Sequence, residues 1–273
     1  MHLSIEEKLE RIAQYRPIDD VFFEVLARDM AFDQEMLRLI LGDENLIVED
    51  VIVQSDERNL YGRSVRLDAL CILGDGSKCN VEVQRSDQDD HFRRVRYNAS
   101  MITVKDSDTG TDFSEVPEVY VVYISESDIF KKNRTIYHMV NTLEETGDII
   151  DDGLHRIFVN TAVHDGTDIA DYMRHFTETK IDDPKFPCLT KAVKEIKETE
   201  GGRESMCKIM EDYAKEYAKE ATIEATIMTT IKTDLKHNVS TEQIIQDLVE
   251  DCGLDADDAL QRIEEFKNET KTA

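Results

Sequence analysis

Residues 66–84 read RLDALCILGDGSKCNVEVQ. Two apolar arms flank GDGS, a turn sequence, so the stretch predicts a β-hairpin. Each arm carries one acid. Asp68 sits amid Leu67, Ala69, Leu70, Cys71, Ile72 and Leu73, and Glu82 stands between Val81 and Val83. A carboxylate sunk in a sheet must find a partner, or it costs stability or shifts its pKa. Two that converge would want a cation.

Side chains alternate along a strand, so Glu82 and Gln84 leave one face while Val81 and Val83 leave the other. A turn centred on Gly74–Ser77 puts Asp68 opposite Val83 and diagonal to Glu82 and Gln84. A modest twist or bulge would then bring Asp68 and Glu82 together at one end of the hairpin. Two carboxylates, the Val83 carbonyl and water would make a hard-oxygen site for Mg2+ or Mn2+. A metal there can activate water and neutralise charge on a phosphoryl oxygen, with Gln84 orienting water or phosphate. The same spacing also describes an ordinary hairpin with polar residues on its wet face.

Outward from the hairpin, Ile18–Leu41 has helical spacing and a stop at Gly42. Leu46–Val53 reads as a strand, followed by the polar QSDERN (54–59). After Gln84, Phe92, Val95, Ala99 and Ile102 recur at three and four, predicting a helix within 85–105. Arg85, His91, Arg93, Arg94 and Arg96 make a basic island there, with Tyr97 beside Arg93 and Arg96. Those arginines suit phosphate contact, or salt bridges to Asp87, Asp89 and Asp90 nearby. PEVYVVYIS (117–125) and HRIFVNTAV (155–163) predict two more strands. Asp20 and Glu24 share a face of the first helix, where Asp20 could add a carboxylate to the site or simply complement the helix N-terminus. The order describes an α/β chain with a mixed sheet flanked by helices. From Leu189 the chain is helical in character, interrupted at Gly201 and Gly202. Its last part predicts a helical pair with a Ser240 cap, a turn at Gly253 and a second cap near Asp255. The helical arm suits oligomerisation, or an amphipathic helix lying on the core or standing in solvent.

The chain has 273 residues, 40% hydrophobic and 34% charged, with a formal net charge of −26. That charge opposes indiscriminate binding to polyanions or anionic lipid. The start, MHLSIEEKLERIAQ, has no apolar export segment, and no apolar run is long enough to span a bilayer. Five scattered cysteines without CxxC spacing suit reduced thiols in a cytoplasm. There is no HExxH, GxSxG or Walker loop, so zincin, serine hydrolase and P-loop readings lack support.

Asp68 … Glu82-Val83-Gln84 followed by RRVRY (93–97) resembles the PD-(D/E)XK nuclease superfamily, and within it the PD-(D/E)XK nuclease family transposases related to recombination-promoting nucleases. PIDDVFFEVL (17–26), VPEVYVVYISESDIF (116–130), IYHMV (136–140), DDGLHRIFVN (151–160) and GGRESMCKIMEDYAKEYAKEAT (201–222) carry the resemblance across much of the chain. It implies a restriction-endonuclease-like mixed sheet flanked by helices, and Mg2+-dependent (or Mn2+-dependent) cleavage of DNA. On that likeness Asp68 and Glu82 are the metal ligands. Gln84 takes a place where the superfamily often has Lys and this narrower family commonly has Gln, and Asp20 matches an acidic position of the first helix. Arg93, Arg94, Arg96 and Tyr97 match a segment that contacts DNA or supports the site. Two departures stand out: Asn98 where relatives often have a second aromatic, and FFE (22–24) where they commonly have a lysine.

The sequence thus predicts a nuclease-like domain over 1–180, a helical arm over 188–237 and a C-terminal helical pair over 238–273. The expected activity is that of a cytoplasmic, metal-dependent DNA endonuclease of the mobile-element or recombination-promoting kind, with no membrane partner and a homo-oligomer formed through the arm. The alternative is a catalytically inactive interaction module on the same fold.

Overall fold

A computed structural model describes residues 4–57, 65–85, 91–107, 110 and 112–272. The chain opens on α1 (Ile5–Gln14), a helix the hydrophobic spacing leaves unassigned. It forms through a reciprocal cap: Ser4 Oγ accepts from the Glu7 N–H at 3.2 Å, and a Glu7 carboxylate oxygen accepts from the Ser4 N–H at 2.7 Å. The single helix expected over Ile18–Leu41 is two, α2 (Asp20–Leu26) and α3 (Met30–Leu41). Asp29 makes the break, because its side chain accepts the Ala31 N–H at 2.9 Å and so starts a new helix. Gly42 ends α3 in the left-handed region at φ 69°.

Next come β1 (Val48–Glu57), β2 (Val65–Leu73), β3 (Lys78–Gln84), α4 (His91–Lys105) and β4 (Val119–Ser125). The strand expected over Leu46–Val53 starts at Val48 and runs on through Glu57 into the polar QSDERN, whose remainder lies outside the described residues. Short strands follow, β5 (Ile136–Met139), β6 (Asn141–Thr142) and β7 (Ile149–Ile150), then β8 (Leu154–Asn160). The main sheet has the order β1-β2-β3-β4-β8-β5. β3, β4 and β8 are parallel neighbours, whereas β1, β2 and β5 join antiparallel. The parallel step from β3 to β4 needs a crossover, which α4 supplies. On one sheet face α4 lays Val95, Ala99 and Ile102 onto Leu70, Val119, Val121, Tyr123 and Phe158. The other side receives α2 and α3, where Phe23, Phe32 and Phe176 cluster with ring centroids 6.2–6.5 Å apart. This mixed six-stranded sheet with flanking helices is a restriction-endonuclease-like α/β fold.

α5 (Asp168–Arg174) precedes IDDPKFP, and α6 (Pro187–Glu198) starts with Pro187 in its first turn, where a missing N–H costs nothing. The helical interruption falls at Thr199 rather than at the two glycines. Both lie in the first turn of α7 (Glu200–Lys236), where the Gly202 N–H donates to Thr199 Oγ1 at 3.0 Å. A methyl at Gly202 would run into the backbone of Glu195 and Ile196, so glycine lets the two helices approach closely.

The chain forms two compact units, Met1–Ile209 and Met210–Ala273, so the division falls within α7. In the second unit α8 (Thr241–Cys252) and α9 (Ala256–Thr272) join the end of α7 around Ile227, Ile231, Ile244, Leu248, Ala259 and Ile263. Ser240 caps α8 and Gly253 ends it at φ 70°. Asp255 Oδ1 accepts the Asp258 N–H at 2.8 Å at the start of α9. Among the described residues, no helix is long and apolar enough to cross a membrane.

Candidate active site

The hairpin register decides where Asp68 points. The loop has three residues, not four: the Leu73 N–H donates to Ser77 O at 2.9 Å, enclosing Gly74, Asp75 and Gly76. Gly76 takes φ 88°, and Asp75 Oδ1 accepts the Ser77 N–H at 2.9 Å. The strands therefore pair Ala69 with Val81, Leu70 with Asn80 and Cys71 with Cys79. This is one residue away from the register expected of a turn centred on Gly74–Ser77. A one-residue step moves every side chain to the other face. Continued toward Asp68, the observed register sets it against Glu82 rather than Val83, on one face.

Glu82 is 2% exposed and Asp68 is half-buried. Asp68 Oδ2 accepts the backbone N–H of Val83 at 3.0 Å. Burial pushes the Asp68 carboxyl well above the usual carboxylate range, and the Glu82 charge pushes it further; the Val83 N–H and Arg94 oppose this, while Asp20 adds to it. Burial also raises Glu82, against the pull of Asn80, Arg94, the Asp68 N–H and Asn98. Asn80 Nδ2 donates to Glu82 Oε1 at 2.8 Å, and Asn80 Oδ1 is buried with no hydrogen-bond partner among the described residues.

Arg94 reaches this pair from α4. Its Nη1 donates to Gln84 Oε1 at 3.2 Å, and its Nε lies 3.9 Å from Glu82 Oε2. A cation thus stands beside the Gln84 amide. Asn98, one helical turn further on, is buried against the same carboxylate. Asn80 and Asn98 were missed by sequence reasoning. The two-residue spacing of Asn80 from Glu82 was the available signal, whereas Asn98 registered only as a departure from the family pattern.

Other expected residues separate. Asp20 is exposed at the rim; partial removal from water raises its carboxyl, Arg85 and Arg94 pull it down, and Asp19 pushes it up. Arg85 pairs with Asp19 at 3.0 Å and Glu126 at 3.5 Å, the same two acids that Arg16 holds at 3.0 and 2.9 Å. His91 leaves the basic island altogether: it is buried, with Nδ1 2.7 Å from the Tyr123 hydroxyl. The cause is its place on the sheet-facing side of α4, in line with Val95. Arg93 and Arg96 are exposed and Tyr97 is half-buried. Asp87, Asp89 and Asp90 lie outside the described residues.

Among the described residues, no three His, Cys, Asp or Glu side chains stand close enough to share a metal. Two mutually repelling carboxylates are nonetheless a fitting donor set for Mg2+, which binds through one or two carboxylates and takes its other ligands from water and phosphate. The donors of the pair are hard oxygens, and none is a thiolate or imidazole.

Sheet order, the α4 crossover and an acid pair at the end of the hairpin define a nuclease-type fold. The family model for PD-(D/E)XK nuclease family transposases matches residues 34–178, and the chain belongs to that family. No curated protein and no solved structure matches the chain. Membership gives it a nuclease-like, mobile-element-related class of function, DNA as the implied substrate, and a superfamily whose members generally use divalent metal ions.

Proposed function

We propose that this protein is a metal-dependent DNA endonuclease that hydrolyses phosphodiester bonds. The observation that carries the reading is the Asp68–Glu82 pair: two sunken carboxylates, each raised by burial, with Asp68 raised further by the charge of Glu82. Asp68 and Glu82 would hold Mg2+ or Mn2+, with the Val83 carbonyl as a further ligand. When bound, such an ion supplies charge neutralisation at the phosphate and acidifies water.

The chain's own residues do the rest. Asn80 and Asn98 fix the Glu82 carboxylate, and the Val83 N–H fixes Asp68. Gln84 positions water or a phosphate oxygen, and Arg94 holds Gln84 while adding the positive charge an amide lacks. Arg93, Arg96 and Tyr97 lie along the same helix, toward the DNA backbone. Asp20, at the rim, adjusts the local field. In this reading the enzyme acts in the cytoplasm on DNA linked to recombination or mobile elements, with the nuclease-like part over 1–180, a helical arm over 188–237 that assembles a homo-oligomer, and a C-terminal pair over 238–273. Light scattering of the whole chain tests the assembly.

The deciding experiment is incubation of supercoiled plasmid with protein in Mg2+, Mn2+ or EDTA, beside Asp68→Ala/Glu82→Ala. Metal-dependent nicking that the double variant loses supports the reading. Absence of nicking by folded protein in every metal would replace it with a catalytically inactive interaction module.

A further inference from the structure

The loop after β4 reads ESDIFKKNRT, residues 126–135. In the parallel register Gln84 stands beside Ser125, so this loop leaves the sheet at the end where β3 carries Glu82 and Gln84. Neighbouring strands lie about 4.8 Å apart, so the loop departs roughly one strand spacing from the carboxylate-bearing strand.

Its two acids face inward. Glu126 pairs with Arg16 and Arg85. Asp128 accepts the Lys131 and Asn133 N–H groups at 3.1 and 2.8 Å, and the Tyr137 hydroxyl at 2.9 Å. Those bonds hold Lys131 and Asn133 at φ 55° and 57°, a left-handed conformation that Asn accepts readily and that is uncommon for Lys. The Arg134 N–H donates to Tyr137 Oη at 3.0 Å, and its carbonyl accepts from Asn160 Nδ2 at 2.8 Å.

Its cations face outward. Lys131, Lys132 and Arg134 are exposed, and among the described residues no carboxylate pairs with their side chains. Phe130 joins the loop to α4, with its ring centroid 5.5 Å from that of Phe92 and 5.3 Å from that of Phe158. The exposed Arg93 and Arg96 follow Phe92 on that helix. In a chain of net charge −26, a stiff loop that turns its acids in and three cations out concentrates positive charge on one side of the carboxylate pair.

We propose that the 130–134 loop is a phosphate-binding rail for duplex DNA, seating the backbone beside Asp68 and Glu82; this rests on the nuclease reading above. Phosphate neutralisation by Lys and Arg dominates non-specific affinity and makes it salt-dependent. The rail reconciles DNA binding with a strongly acidic chain, because the field that acts on a bound strand is the local one.

The test is fluorescence anisotropy of the whole chain with a short labelled DNA duplex, and with an RNA duplex of the same sequence, in EDTA across a salt series. Lys131→Ala/Lys132→Ala/Arg134→Ala is compared with the same charge change at exposed Lys180, Lys191 and Lys208. The loop variant is expected to lose about tenfold or more in affinity and to flatten the log–log salt slope by roughly 2 to 3, near 0.9 per phosphate contact. Its melting temperature should match wild type, since these side chains are exposed and make no hydrogen bond or ion pair among the described residues. Equal loss in both triple variants, no loss in the loop variant, loss confined to an RNA duplex, or no wild-type binding at about 100 µM protein would each overturn the proposal. Cleavage is scored separately: if the loop variant alone loses DNA binding yet no metal supports wild-type nicking, the rail stands and the nuclease reading fails.

Discussion

The Asp68 carboxylate accepts the backbone N–H of Val83 at 3.0 Å, a donor that a continued β2–β3 ladder would give to a strand carbonyl. The regular pairing ends at Ala69–Val81. A side chain therefore finishes the ladder, and it does so beside Glu82. Backbone satisfaction and site construction are one feature here. It anchors a half-buried acid in the orientation where its charge meets the second acid.

Asp68→Asn is expected to stabilise the metal-free protein at pH 8. Both folded carboxyls are raised, so their full contribution is present below the ordinary carboxylate pKa, about 4. It is lost as pH rises through the raised values. Thermal melts in EDTA between pH 4 and 8 should fall with pH in wild type and fall less steeply in the variant, where Glu82 and Asp33 still titrate. Saturating Mn2+ should raise the wild-type Tm, by about 2.7 kcal/mol of stability at a hundredfold excess over Kd, and leave the variant unmoved.

Gly76→Ala addresses the loop length. Gly76 sits at φ 88° with open space around it, so an added methyl meets no atom and the cost is backbone strain alone. A loss of about 1–2 kcal/mol in chemical denaturation is expected. A neutral result would mean that the three-residue loop does not depend on the left-handed glycine.

Asp33 is a second buried acid, on α3. It is fully buried, and among the described residues neither carboxylate oxygen has a hydrogen-bond partner. Burial raises it well above the usual range, helped by the charge of Asp29. Its contribution is retained below about pH 4 and lost as pH rises through the raised value. Asp33→Asn should therefore gain about 1–3 kcal/mol near pH 8 and little near pH 4. Urea titrations at the two pH values measure the difference.

Asn80 is expected to govern metal affinity more than stability. Its amide holds Glu82 Oε1 at 2.8 Å, and loss of such an outer partner typically weakens a metal site by about 10–100-fold. Calorimetric titration of Asn80→Ala with Mn2+ should show that weakening, with Asn80→Ser intermediate. Unchanged affinity would reduce Asn80 to a packing residue.

Much was legible in the chain itself. The β3 alternation put Glu82 and Gln84 on one face, and the three-and-four spacing of Val95, Ala99 and Ile102 set the buried side of α4. The strand at 119–125, the Ser240 cap and the Gly253 turn follow from local chemistry, because each depends on residues a few positions apart. The order of elements already described a mixed sheet flanked by helices, and the family motifs added its restriction-endonuclease-like type.

Tertiary structure alone decided the rest. GDGS admits a turn of three or four residues, and only the pairing of β2 with β3 shows that Gly76 closes the shorter one and turns Asp68 toward Glu82. Arg94 reaches Gln84, Asn98 reaches Glu82 and His91 sinks against Tyr123 because α4 crosses the sheet at one angle and height, which helical period leaves open. Periodicity determines which face a residue occupies; the long-range pairing of faces, settled by packing and burial, determines which charges must live together.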